Sequence, residues 1–198
     1  MNNYEYIIAS LPDISADWKF QDKHPEDYIR EIEELCSEDD CRTIDFMREG
    51  LADANLDRDF YTRAASHRNR FIREYFLFDM NVRNAKVRFL NKALGRDAAK
   101  DVMDLPSGEF EEAGRLDTVL ADGDILARER GIDDLMWEKI NSLTVFNYFD
   151  INAILGFIAK LHIVARWYEL DEQSGRAMFK RLVDEVRGTF KGVEYNAD

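Results

Sequence analysis

Histidines are the first residues to consider for chemistry, because imidazole can ligate metals and carry protons near neutral pH. The chain has three, His24, His67 and His162. A metal site on helices usually pairs a histidine with a glutamate three residues before it or with a second histidine one turn away. None of the three has such a neighbour. The spacing therefore predicts no metal site, and it favours hydrogen-bonded core positions for His67 and His162.

Other residue types that carry chemistry also lack the spacing that the chemistry needs. Cys36 and Cys41 are separated by four residues and have no histidine nearby, which is typical of reduced cysteines and not of a zinc pair. The acidic runs lack the alternating oxygen ligands of a calcium loop, so we interpret them as solvated faces. The sequence has no nucleophile elbow, glycine-rich phosphate loop or dinucleotide fingerprint. We therefore predict no catalytic residue and no cofactor.

A basic segment is the most unusual feature of this acidic chain. Residues 57–100 hold 11 Lys and Arg against 5 Asp and Glu, although the formal net charge of the chain is −13. Arg83, Lys86 and Lys92 lie away from the apolar positions of this segment. Either they pair with acidic helices of the same chain, or they form a contact surface that orients another protein. We take these three residues as the candidate partner-binding site.

Composition limits the class of protein. A chain that is 45% hydrophobic with a pI of about 4.7 can bury a core, and its acidity argues against nucleic acid as a partner. The amino terminus lacks a charged leader followed by an apolar run. The most apolar window, INAILGFIAKLHIVARWY, is interrupted by Lys160, His162 and Arg166, so it does not fit a membrane span. These features predict a soluble, cytoplasmic protein.

The basic segment itself has a helical period. Apolar residues recur at gaps of three and four from Phe60 to Phe89, and no Gly or Pro interrupts residues 56–94. Gly95 fits the stop that follows a helix. The pattern predicts a single helix over 57–94, about 55 Å long at 1.5 Å per residue and the longest of the chain. Asn84, a polar amide in this helix, is expected to fix the register of a helix–helix contact.

Capping signals place the flanking helices. Pro25 opens a helix, and Ser37 with Asp40 resembles a capping box that opens another over residues 38–51. Gly131 is expected to separate two short helices after a loop near residues 105–114.

Two further caps place the helices at the end of the chain. Asp150 is expected to cap an apolar helix, and Asp171 is expected to cap a last helix with Met178, Leu182 and Val186 inward. The short Leu170–Asp171 connection would make these two helices an antiparallel pair.

The predicted fold is all-α, a helical bundle with one long central helix and a C-terminal antiparallel helix pair. Residues 1–198 form either a single helical domain or two lobes, 1–104 and 115–198. The predicted core consists of Phe71, Tyr75, Phe78, Phe89, Ile154, Leu155, Ile158 and Trp167.

Three stretches together resemble a known family. The segment YFLFDMNVRNAKVRFLNKALG resembles a conserved helix of the C-type subunits of V-type/A-type ATPases, the family that includes the eukaryotic d-type subunits. More closely, the chain is similar to short bacterial relatives of these proteins, described as a domain of unknown function associated with V-type ATPases. Those relatives begin with a tyrosine-rich segment like YEYIIASLP and end like ILGFIAKLHIVARWYELDEQSGRAMFKRLVDEV.

The resemblance implies a function without catalysis. The C-type subunits sit on the membrane rotor ring, receive the central shaft and transmit torque. By this resemblance we expect a coupling or assembly component whose partners are other V-type ATPase subunits, located in the cytoplasm and held at the membrane through protein partners. Two alternatives stay open. One is a small helical enzyme or ligand-binding domain with a pocket near His67, Glu74 and Tyr75, and the other is a helical adaptor unrelated to the motor.

Overall fold

The computed structural model describes residues 3–20, 23–106, 108 and 110–190, without the side chains of residues 100, 172–174, 177–179 and 181–190. Short 3₁₀ turns lie at Asp53–Asn55 and Ala98–Lys100. The α-helices are α1 (Tyr4–Ser10), α2 (Pro25–Leu35), α3 (Glu38–Leu51), α4 (Arg58–Ala65), α5 (Arg70–Ala93), α6 (Ala113–Leu120), α7 (Ile125–Thr144) and α8 (Ile151–Phe190). No strand occurs in these described ranges, which confirms the all-α fold class.

The central helix is α5, which packs against α4, α6 and α7. The prediction of one helix over 57–94 is wrong, because the chain turns at residues 66–69. Asn69 ends the continuity: its side chain accepts a hydrogen bond from the Ile72 amide at 3.0 Å and so caps α5. The Arg73 guanidinium donates to the carbonyl of His67 at 2.6 Å, so this backbone carbonyl in the turn after α4 has a hydrogen-bond partner.

The turn folds α4 back onto α5. The ring of Phe60 meets that of Phe76 edge-on, with centroids 4.9 Å apart. The apolar positions of the predicted stripe therefore still face one core, but they reach it from two helices. The far end of α5 confirms the predicted stop, since Gly95 has φ of +67° and the Arg96 amide donates to the Asn91 carbonyl at 2.8 Å.

Two predicted helix starts near the amino terminus are confirmed. Pro25 is the first residue of α2. Ser37 caps α3, with its hydroxyl accepting from the Asp40 amide at 3.3 Å and the Asp40 carboxylate accepting from the Ser37 amide at 3.4 Å. This reciprocal pair is the capping box that the sequence indicated.

The predicted break at Gly131 is wrong, because α7 runs through it without interruption. A Cβ placed on Gly131 would lie 2.8 Å from Cγ1 of Val119 in α6. Gly131 therefore allows α6 to approach α7 closely. This packing offsets the low helix propensity of glycine within α7.

The predicted start of a last helix at Asp171 is also wrong. Helix α8 continues for 40 residues through Leu170 and Asp171, since neither Gly nor Pro lies between Gly156 and Gly175. The antiparallel C-terminal pair consists instead of α7 and α8, in which Thr144 lies beside Gly156 and Asp133 lies beside Arg166. The inward positions predicted for Met178, Leu182 and Val186 lie outside the described side chains.

The start of α8 is as predicted. The Asp150 carboxylate accepts hydrogen bonds from the amides of Asn152 and Ala153 at 2.9 and 3.1 Å. Among the described residues, none of the helices, α8 included, combines the length and the apolar character that crossing a membrane requires.

Most of the predicted core is confirmed. Phe71, Tyr75, Phe78, Ile154, Leu155 and Ile158 are buried in one continuous cluster. Phe89 and Trp167 are only partly buried and pack on the edge of that cluster, so their assignment to the core interior is wrong. Phe89 has the Arg128 guanidinium over its ring at 5.4 Å, and Trp167 directs its indole N–H to a carboxylate, which holds both at the margin.

Candidate functional site

An open cleft of about 750 Å³ lies between the end of α3, α5, α7 and α8. Its apolar lining includes Leu56, Val82, Met103, Ile132, Met136 and Ile163. Its charged lining consists of Asp53, Asp79, Arg83, Lys86, Glu129, Asp133 and Arg166. We call this surface the charged cleft.

Arg83 joins two carboxylates on one side of the charged cleft. Its Nε donates to Asp79 Oδ2 at 2.9 Å, and its Nη2 donates to Asp53 Oδ1 at 2.7 Å. Burial alone would lower the pKa of Arg83, but the two carboxylates outweigh burial and raise it. The same hydrogen bond from Arg83 lowers the pKa of Asp53. The guanidinium thereby ties α5 to the 3₁₀ turn that follows α3.

Tyr61 of α4 contributes a third hydrogen bond to this group. Its hydroxyl donates to Asp79 Oδ2 at 2.5 Å. Burial, followed by the neighbouring Asp79 carboxylate, raises the pKa of Tyr61, so the phenol stays protonated and remains a donor. The Asp79 Oδ2 atom thus accepts hydrogen bonds from two side chains, Tyr61 and Arg83.

Asp133 is the buried carboxylate of the charged cleft. Both of its oxygens accept from Arg166 Nη2, and Oδ2 also accepts from the Trp167 indole at 2.6 Å. The Asp133 side chain is 6% exposed, whereas that of Arg166 is 50% exposed. The pair therefore joins α7 to α8 and leaves part of a guanidinium facing the solvent in the cleft.

The structure separates the three predicted partner-binding residues. Arg83 and Lys86 both line the charged cleft. Lys86 donates to both carboxylate oxygens of Glu129 at 3.1 Å, and these two side chains are about one-third exposed. Lys92 is exposed near the end of α5 and is not part of the cleft lining. Two of the three cations are thus paired within the fold and remain partly exposed, and their role in a contact surface stays a prediction.

Two of the three histidines, His24 and His162, line one cavity, and His67 lies elsewhere. His162 lines the charged cleft and a neighbouring cavity of about 660 Å³ that is also lined by His24. The predicted core position of His162 is wrong, because this residue is exposed at the rim of the cleft. The surrounding walls still partly desolvate its imidazole and, together with the Arg166 charge, lower its pKa. His67 lies beside the Phe46 ring, with centroids 4.8 Å apart, and its Nδ1 accepts from the Asn69 amide at 3.1 Å.

The residues proposed for a pocket near His67 have different neighbours. Glu74 binds Arg70 through its Oε1 at 2.5 Å. Tyr75 is buried, stacks on Phe71 and lines the charged cleft. His67, Glu74 and Tyr75 therefore do not surround a common space in the structure.

Buried amides hold a loop against the charged cleft. Asn84 Nδ2 donates to the Met103 carbonyl at 3.0 Å, and its Oδ1 accepts from the Met103 amide at 2.8 Å. Asn91, two turns later, donates to Asp101 at 2.7 Å. The predicted role of Asn84 in a helix–helix register is therefore corrected: the amide fixes the path of the chain after α5, and Met103 closes one edge of the cleft.

Metal and thiol chemistry find little support in the part of the chain that is described. No group of three His, Cys, Asp or Glu side chains there is arranged to hold a metal ion. Cys36 and Cys41 are free thiols. Burial raises the pKa of Cys36 to about 12 and also raises that of Cys41, so both stay protonated and weakly nucleophilic.

Sequence reasoning missed most of the acidic side of this site. Asp79 could have been found, since it lies four residues before Arg83 on one helix. Glu129 and Asp133 could not, because their partners Lys86 and Arg166 are 43 and 33 residues away. The resulting surface combines partly exposed ion pairs with apolar side chains.

Part of the chain matches a known protein family. Residues 104–189, less than half of the chain, are similar to a family described as "Protein of unknown function (DUF2764)". The matched part contains α6 and α7 and all of α8 except its last residue, and it thus supplies the α7 and α8 walls of the charged cleft. No curated protein and no solved structure matches the chain.

Proposed function

We propose that the chain is a non-catalytic coupling or assembly component of a V-type ion-translocating ATPase, similar to the C-type subunits, placed between rotor ring and central shaft at the cytoplasmic face of the membrane. The charged cleft is the contact site for a helical segment of a partner protein of the motor. The observation that carries this proposal is the position of Arg83 and Lys86, which the sequence singled out and which lie together on one wall of the cleft.

The ion pairs of the cleft suit a partner of mixed charge. Lys86 and Glu129 are each about one-third exposed, so a partner can form additional contacts with both without breaking their mutual bond. The side chains between them are apolar and give a partner helix a surface to cover. Such rim charges orient a partner and speed its association more than they add affinity.

The alternatives are weighed by the same geometry. A pocket enzyme centred on His67 has no supporting observation among the described residues, because Glu74 pairs with Arg70 and Tyr75 stacks on Phe71. A helical adaptor unrelated to the motor would use the same cleft with a different partner. Partner identity therefore decides between the two contact-protein hypotheses.

Affinity purification of the tagged chain from its native membranes tests the proposal. Shaft or ring subunits should co-purify, and the isolated chain should show no ATPase activity. The charge swap Lys86→Glu with Glu129→Lys keeps an ion pair but reverses its direction, so it should reduce the recovery of those subunits, and more so at low salt. Lys92→Glu should have a smaller effect in the same direction.

A matched swap controls for the substitutions themselves. Arg115 and Glu138 form an ion pair at 2.7 Å between α6 and α7, away from the cleft lining, so Arg115→Glu with Glu138→Arg should leave recovery unchanged. Arg83 is left intact, since reversing it would break its bonds to Asp53 and Asp79 and perturb the fold. Recovery of no motor subunit by the unmodified chain would refute the proposal.

A further inference from the structure

The loop between α7 and α8 presents a group of apolar side chains to the solvent. Residues 145–149 read VFNYF, and four of these five side chains are exposed: Val145 by 52%, Phe146 by 87%, Tyr148 by 70% and Phe149 by 57%. Single exposed apolar residues are common on protein surfaces, but a contiguous group marks an interaction site. We call residues 145–149 the aromatic loop.

The surroundings of the aromatic loop are uncharged along the chain. Between Lys139 and Lys160 the only charged residue is Asp150, in a chain that is 34% charged. The Asp150 carboxylate is already occupied, because it accepts from the amide of Asn152 at 2.9 Å and from the side chain of Asn147. The loop therefore offers apolar surface without a free charge.

The backbone of the aromatic loop is held in place at both ends. The Asn147 amide donates to the Thr144 carbonyl at 2.8 Å, and the Thr144 hydroxyl donates to the Ile140 carbonyl at 2.9 Å. Asp150 fixes the other end through its cap on α8. A partner that binds this loop would have little backbone freedom to remove, which favours affinity.

We propose that the aromatic loop is an anchor that inserts into an apolar, weakly charged socket on a protein partner. Aromatic side chains in an uncharged centre are the composition of protein interface cores and of their strongest contacts. The site is separate from the charged cleft, since Met136, the residue of α7 in the cleft lining that is nearest the loop, and Thr144 are about 12 Å apart along α7. The inference goes beyond the proposed function and does not depend on it.

Charge favours a protein over an anionic bilayer as the occupant. The chain has a formal net charge of −13, which an anionic surface repels. The turn before α5 touches the start of α8, where Asn69 donates to Asn152 at 2.8 Å. The arginines on either side of Asn69 are already paired, Arg68 with Asp39 and Arg70 with Glu74. Arg73 donates to the His67 and Arg68 carbonyls of this turn instead of to a carboxylate, and one such arginine is not the cluster of basic residues that draws proteins to anionic headgroups.

A photo-cross-linking residue placed at Phe146, in cells that naturally carry the chain, tests this proposal. The same residue at Glu38, whose side chain is 97% exposed on α3, is the control position. A protein captured at Phe146 and not at Glu38 is then purified, and its affinity for the intact chain is measured by calorimetry. Phe146→Ser should weaken binding by about tenfold or more.

The matched control variant is Leu94→Ser, which removes an apolar side chain of 63% exposure that follows α5. It should leave the affinity within about twofold, and circular dichroism should show all variants folded. The cleft swap at Lys86 and Glu129 should not change this affinity, so a failed cleft experiment stays distinguishable from a failed loop experiment. Cross-linking to a second copy of the chain, or no cross-link at all, would overturn the proposal. So would binding to phosphatidylcholine vesicles that Phe146→Ser abolishes.

Discussion

The charged cleft and the aromatic loop both involve the antiparallel pair α7 and α8, and they are built in opposite ways. In the cleft, Asp133 is buried and joins two helices through Arg166 and Trp167, so the groups at the proposed contact site also hold the fold together. In the loop, Phe146 is 87% exposed and holds nothing. Stability and binding are therefore coupled at the cleft and separable at the loop.

The largest effect is expected from the core that both regions share. Phe71 is buried, stacks on Tyr75 and has its ring beside Gly156 at the loop end of α8. Phe71→Ala should lower the free energy of unfolding by about 3–5 kcal/mol, measured by urea denaturation. Phe89→Ala, at the margin of the core, should lower it by clearly less. Equal effects of the two variants would contradict the placement of Phe89.

The next effect sharpens the role of the cleft as structure. Asp133→Ala leaves the Trp167 indole and the Arg166 guanidinium without this acceptor. It should lower the free energy of unfolding by about 2–3 kcal/mol. Asp134→Ala removes the neighbouring, exposed carboxylate and should change the free energy of unfolding by no more than about 0.5 kcal/mol. Similar denaturation midpoints for the two variants would show that Asp133 does not hold α8 on α7.

A smaller effect is expected from the ion pair at the rim of the cleft. Lys86→Glu should lower the free energy of unfolding, because it places a second negative charge beside Glu129. The loss should not exceed about 1 kcal/mol, since both side chains are partly exposed. The swap with Glu129→Lys should recover most of that loss in a double-mutant cycle. If the swapped protein were as unstable as Lys86→Glu alone, a charged group other than Glu129 would have to account for the loss of stability.

The aromatic loop should give almost no effect on stability. Phe146→Ser should change the free energy of unfolding by less than about 0.5 kcal/mol, since the side chain has little contact to lose. Thermal denaturation with the unmodified chain as reference measures this. A clear destabilisation would indicate that the loop packs on the molecule and would end the separation of binding from stability.

The last expected effect is a change of the free energy of unfolding with pH. Burial lowers the pKa of His67, and the cleft walls with Arg166 lower that of His162, while Asp53, Asp133 and Glu169 oppose the shift at His162. Below about pH 6.5 the unfolded chain then binds protons that the folded chain does not, so stability falls as pH decreases. His67→Gln with His162→Gln should reduce this slope between about pH 7 and 5.5. An identical slope in the variant would contradict these shifts.

Local signals predicted helix boundaries well where one side chain determines them. Ser37 with Asp40, Asp150 and Gly95 each satisfy backbone groups within a few residues, so their roles could be predicted from the sequence. The break at residues 66–69 was missed although Asn69 caps α5 in the same local way, because the apolar period continues through these residues without Gly or Pro. The helix start predicted at Asp171 is wrong because an aspartate on an exposed helix face lowers helix stability too little to end a helix.

The site was predictable only where its parts lie on one helix. Arg83 and Lys86 stood out by local charge, and Asp79 lies one turn from Arg83. Glu129, Asp133 and Arg166 joined the site through tertiary packing of α5, α7 and α8, which no local pattern encodes. The aromatic loop stayed unnoticed because exposure, and not composition, distinguishes it from the buried aromatic residues of the core.

The continuity of α8 has a thermodynamic consequence. One unbroken helix begins beside the aromatic loop and carries Arg166 into the charged cleft, and a helix resists compression because every turn is hydrogen bonded. A ligand that displaces α8 along its axis at one end thus changes the free energy of binding at the other. Coupling of this kind is reciprocal: if one proposed partner displaces α8, the two partners would alter each other's dissociation constant by the same factor.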